Sequence, residues 1–122
     1  METARVIKLD GQTVIQFGEE WFFDPAEHGI THGHKIAMLA NLMNEVEQID
    51  ACHLLGQFRS GAGVGYSGGG FTRHLIDAIS SADNEHQGLV AKGFPSLVAA
   101  YRVYSHFSGG VDLLAMRAKG EI

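Results

Sequence analysis

The sequence predicts an α+β fold, with an N-terminal β-hairpin or three-stranded meander packed on several short α-helices. Three observations carry that expectation. Two apolar alternating segments, Arg5–Leu9 and Gln12–Phe17, flank the turn pair Asp10-Gly11. Apolar residues then recur at helical spacing from about residue 34. Finally, glycine and proline divide that second part into short pieces. At 122 residues the chain is expected to form one domain over 1–122, β-rich over 1–24 and mainly helical over 34–118.

Asp10-Gly11 suits a two-residue turn because both positions tolerate positive φ. In that register Ile7 faces Val14 and Val6 faces Ile15, which puts apolar side chains on both faces of the hairpin. Trp21-Phe22-Phe23 can add a third strand before Asp24-Pro25 ends the pattern. Ile36, Leu39, Ala40, Met43 and Val46 form the inner face of a first helix, which can run on through Leu54, Leu55 and Phe58 or break near Asp50 and Gly56. Phe71, Leu75, Ala78, Ile79 and Ala82 form the stripe of another. Asp83 caps a short helix reaching Lys92, Gly93 stops it, and Pro95 opens the next, which runs to about Phe107. Leu97, Val98, Tyr101 and Tyr104 supply its apolar side, and Gly109-Gly110 separates it from the apolar stretch Val111–Ala118.

Composition narrows the function classes. Residues 1–60 hold four Lys and Arg against nine Asp and Glu, while residues 61–122 hold five of each, so the net charge of −5 resides in the first half. Such a chain lacks the basic stripe that supplies affinity for phosphate backbones, and direct nucleic-acid binding is not expected. No apolar run is long enough to cross a bilayer, no membrane association is expected, and the one cysteine, Cys52, reads as a buried thiol in a reducing cytoplasm.

The glycine-studded segment Gly61–Gly70, which leads into a helix, is the first candidate site. Bare backbone lets several N–H groups converge on an anion, so Ser67, Gly68, Gly69, Gly70 and Thr72, with Arg59 and Arg73 as flanking charge, form the predicted ligand-binding set. A flexible connector is the competing reading. The segment lacks the Gly-Lys-Ser/Thr of a P-loop, and the residues before it look helical, which disfavours a dinucleotide fingerprint. Tyr66, Phe71, Tyr101, Tyr104 and Phe107 are expected to gather near the loop, beside Arg59, Arg73 and Arg102. His28, His32 and His34 form the second candidate, a cluster spaced to hold a divalent metal, with Asp24 and Glu27 as further oxygen ligands. No catalytic motif stands out. Cys52 lacks a recognisable base, and Ser60 and Ser67 lack the nucleophile elbow.

The part from Gly68 to Tyr104 resembles small accessory proteins encoded by tailed phages and prophages, in which a glycine turn leads into an aromatic-led helix. The matching residues are Gly69-Gly70-Phe71, Leu75, Ala78-Ile79, Ala82-Asp83, Leu89, Gly93-Phe94-Pro95 and Leu97-Val98. That pattern often has asparagine three residues after the aspartate, where this chain has His86. The resemblance implies a viral setting, a host-cell cytoplasm, and action by binding. The expected function is therefore non-enzymatic and cofactor-free, either blocking a host defence protein or sequestering a small anionic, nucleotide-like ligand. Independently of the resemblance, a chain this short with so many glycines cannot hide all its aromatic and apolar surface, which predicts a homo-oligomer. The alternative is a metal-dependent hydrolase built on His28, His32 and His34.

Overall fold

A computed structural model describes residues 4–9, 12–17, 21–23, 33–58, 65–107 and 109–122. Strands β1 (Ala4–Leu9) and β2 (Gln12–Phe17) form an antiparallel hairpin in which Leu9 pairs with Gln12, Ile7 with Val14 and Val6 with Ile15. This is the register that a two-residue connection at Asp10-Gly11 requires. The segment β3 (Trp21–Phe23) pairs antiparallel along β2 for three residues, so the sheet is a hairpin with a short addition rather than a full meander. Ile15 and Gln16 are both buried. Successive strand residues point to opposite faces, so both faces of the hairpin are covered at this point.

Among the described residues six helices follow and dominate the fold: α1 (Gly33–Glu45), α2 (Gln48–Phe58), α3 (Gly70–Ser81), α4 (Asn84–Ala91), α5 (Pro95–His106) and α6 (Gly110–Ala118). The hairpin packs on α1, α1 on α5, and α2 on α6, with α5 central and touching α1, α2, α3, α4 and α6. A single core runs through them, including Leu39, Met43, Leu54, Ile76, Val103 and Leu113. Among the described residues no helix is long and apolar enough to cross a membrane.

The break between α1 and α2 falls at Val46-Glu47, ahead of Asp50 and Gly56. Its cause is tertiary. The Arg117 guanidinium on α6 donates from Nη1 to the carbonyls of Met43 (3.0 Å) and Val46, and the Ser96 hydroxyl at the start of α5 accepts the Glu47 N–H at 2.8 Å. A carbonyl in the last turn of α1 and the backbone groups of the two linking residues, Val46 and Glu47, thus find partners from elsewhere in the chain. Arg117 is only 1% exposed, and burial lowers its pKa from the usual guanidinium value because the charged form is desolvated. A cation at the C-terminal end of α1 also meets the negative end of its dipole.

The turns around α4 follow the local signals. Asp83 is the N-cap and accepts the His86 N–H at 2.8 Å, while the His86 ring Nδ1 lies 2.7 Å from the same carboxylate oxygen. Pro95 occupies the first turn of α5. Beneath this corner, Gln87 is buried and donates to the carbonyls of Ile79 (3.0 Å) and Ala82 (3.4 Å), while its Oε1 accepts from Arg102 Nε at 3.2 Å. One side chain therefore closes the C-terminal end of α3 and ties it to α5.

Candidate protein-docking surface

The face of α3 differs from the predicted stripe. Ile76 and Ile79 are buried, Thr72 and Leu75 are half-buried, and Phe71 and Ala78 point outward. The buried line, Thr72-Ile76-Ile79, is the i, i+4, i+7 face next to the one expected. Phe71 is consequently 69% exposed. It meets Phe94, itself 42% exposed at the turn before α5, with ring centroids 5.8 Å apart and planes tilted by 51°.

These two rings line a cavity of about 320 Å³ whose other walls include Glu47 and Asp50 at the start of α2, with Leu75 and Leu97. Glu47 also lines an adjoining cavity of about 590 Å³ shared with Ile49, Cys52 and Tyr66. Ile49 and Tyr66 are 52% and 53% exposed. One surface therefore joins four exposed apolar or aromatic side chains, Ile49, Tyr66, Phe71 and Phe94, around two carboxylates. A separate groove of about 730 Å³ lies between α1 and α4 and is floored by α5, with Glu45, Lys92 and Arg102 among its walls.

The glycines give this surface its shape by permitting close approach. A Cβ on Gly56 would overlap the backbone of Tyr66, and one on Gly65 would overlap the backbone of Leu55 and Gly56. The Gly65-Tyr66 part of the glycine-studded segment thus lies directly against α2, held by the Tyr66 N–H donating to the Cys52 carbonyl at 3.1 Å. The Tyr66 ring stands edge-on to His53, with centroids 5.3 Å apart.

The predicted ligand set is only partly assembled. Arg59 and the residues from Gly61 to Val64 lie outside the described residues. Ser67 is exposed and its hydroxyl donates to the Gly68 carbonyl at 3.3 Å; Gly68 packs against Thr72; Gly69 is the N-cap of α3 and Gly70 its first residue. Arg73 is exposed on the first turn of α3, with its backbone carbonyl accepting from Gln57 Nε2 at 3.4 Å. Among the described glycines only Gly120 has positive φ, and Gly69 is extended at φ −70°. None of the four glycines between Gly65 and Gly70 thus has the left-handed φ that an anion nest uses at alternate residues.

The expected aromatic gathering separates into distinct groups. Phe58 stacks on Tyr104 at 4.8 Å and lies 6.0 Å from Tyr101, while Phe107 is buried in the core. Arg102 is engaged with Gln87 instead of with these rings. His28 and His32 lie outside the described residues, as do Asp24 and Glu27, and of His34 only the helical backbone is described. Among the described residues no three His, Cys, Asp or Glu come together as a metal site. Cys52 is buried, with Sγ 3.7 Å from the Ala118 carbonyl.

Sequence reasoning missed Glu47, Ile49, Asp50 and Phe94 as parts of one surface. They come from α2 and from the turn before α5, which only the folded core brings together. Comparisons of the chain with protein-family models, with curated proteins and with solved structures give no match.

Proposed function

We propose that this chain is a non-enzymatic binding protein of the phage accessory type that blocks a host protein, in the host cytoplasm, through the surface formed by Ile49, Tyr66, Phe71 and Phe94. The observation that carries this reading is the outward placement of Phe71 against Phe94. An aromatic pair left in water forgoes the burial that drives folding, and aromatic anchors of this kind concentrate binding energy at protein interfaces. The two carboxylates in the same cavity weigh against the other binding version, capture of an anionic nucleotide-like ligand, because they repel phosphate.

Self-association, expected from composition, fits this surface less well than a foreign partner does. A two-fold interface centred here would bring Glu47 and Asp50 of one copy towards the same residues of the other. The test is reconstitution. The partner is identified by co-purification from host cells, and its affinity for wild type and for Phe71→Ser/Phe94→Ser is then measured with purified components. Loss of at least tenfold in affinity with an unchanged melting temperature supports the reading, whereas equal affinity removes this surface from consideration.

A further inference from the structure

We infer that the cavity between Phe71 and Phe94 receives an arginine side chain of the partner, an inference that rests on the docking reading above. Three properties of the cavity favour this. Its volume, about 320 Å³, lies at the lower end for ligand pockets, which suits one long side chain better than a nucleotide. Two of its walls are exposed aromatic rings. Two others are the acidic residues Glu47, immediately before α2, and Asp50, in its first turn.

Each property selects the same chemistry. A guanidinium is planar, stacks on an aromatic face, and pairs with carboxylates through up to five N–H donors. A lysine ammonium offers charge without the plane, and a neutral apolar side chain would bury carboxylates without compensation. A phosphate or a carboxylate would meet like charge. The net charge of −5 extends the complementarity, since it favours encounter with a basic partner and disfavours a second copy of this chain.

The experiment titrates the full chain with the peptide acetyl-Gly-Arg-Gly-amide and with its citrulline counterpart, which keeps the planar head but lacks the charge. Carbon-detected ring signals of Phe71 and Phe94 report binding. The arginine peptide should give saturable shifts at both rings, and the citrulline peptide should bind at least tenfold more weakly. Glu47→Gln/Asp50→Asn should bring the arginine peptide down to the citrulline level. No ring response to arginine, or an equal response to both peptides, overturns the inference. The wild-type comparison decides the matter even where the carboxylate variant folds poorly. This outcome is separable from that of the docking reading: Phe71→Ser/Phe94→Ser can abolish partner binding while the peptides go undiscriminated, which leaves the surface standing and the arginine excluded. Arginine-selective shifts with unaffected partner binding would do the reverse.

Discussion

The side-chain amide of Asn44 on α1 holds both backbone polar groups of Ala4, donating from Nδ2 to the Ala4 carbonyl at 3.0 Å and accepting the Ala4 N–H at Oδ1. A strand residue presents its N–H and its C=O to the same side, so Ala4 offers both to the outer edge of β1. Asn44 thus acts as a one-residue strand partner at an edge where another chain could otherwise pair. Together with the buried Ile15, it fixes how the hairpin sits on α1.

Asn44→Leu is expected to release that edge. Two hydrogen bonds are exchanged for bonds to water, a loss of about 1–2 kcal/mol. The effect should be local. Hydrogen exchange should quicken in β1 and β2 while the amides of α5 stay protected, and uniform loss of protection would show that the hairpin and helices unfold as one unit.

Arg117 holds the C-terminal end of α1 in a comparable way. Arg117→Met keeps much of the buried volume but leaves the carbonyls of Met43 and Val46 without the guanidinium. Hydrogen bonds from a charged donor contribute more than neutral ones, so the expected cost is about 3 kcal/mol or more. Denaturant unfolding should show a lower midpoint with an unchanged slope. A variant as stable as wild type would mean that dehydrating the guanidinium costs as much as its bonds return, the outcome known for some buried ion pairs.

Local signals in the sequence were sufficient where the structure depends on local chemistry. The strand register is the one expected from a two-residue turn, although Asp10 and Gly11 themselves lie outside the described residues, and Asp83, Gly93 and Pro95 mark the bounds of α4 and the start of α5. His86 departs from the asparagine of the resembling pattern, yet it meets the same cap through its backbone N–H and its ring. Features that depend on distant residues were not legible. Nothing near Arg117 in sequence reveals its partner, the end of α1, which is more than 70 residues away. The inner face of α3 was misplaced because Phe71, the most hydrophobic residue of its first turn, is the one left in water. Hydrophobic periodicity assigns every large apolar residue to the core, and an aromatic residue left exposed is where that rule fails.

The Asp83 cap carries a pH dependence whose sign is fixed. Its pKa is lowered from 3.8, chiefly by the backbone hydrogen bond from His86 and next by the side-chain bond from the same residue. A carboxyl with a depressed folded value contributes stability that is complete above its unfolded value and is lost as pH falls through the folded one. The contribution should therefore be constant from neutral pH down to about pH 4 and decline below it. Asp83→Asn keeps an acceptor for the His86 N–H without the charge, so the difference in melting temperature between the two proteins should shrink as the pH is lowered from 5 to 2. A difference that grows on acidification would contradict the assignment.

Two glycines that look alike in sequence should respond in opposite ways. Gly56 lies inside α2, where alanine would ordinarily gain about 1 kcal/mol of helix propensity, but its Cβ would overlap the Tyr66 backbone. Backbone cannot yield as a flexible side chain does, so Gly56→Ala should cost about 2 kcal/mol or more, net of that gain, and should detach Tyr66 from Cys52. Gly69 has open space around its Cβ position, an ordinary φ of −70°, and no side-chain cap for α3. Gly69→Ser should supply the missing acceptor and gain a few tenths of a kcal/mol. Urea unfolding reads both changes, and the Tyr66 ring signals report whether the loop has left α2. The serine variant should also bind the partner as wild type does, because the proposed surface uses the side chains of Phe71 and Phe94 and not the bare backbone at Gly69. Loss of binding in a stabilised Gly69→Ser protein would return the site to the glycine loop.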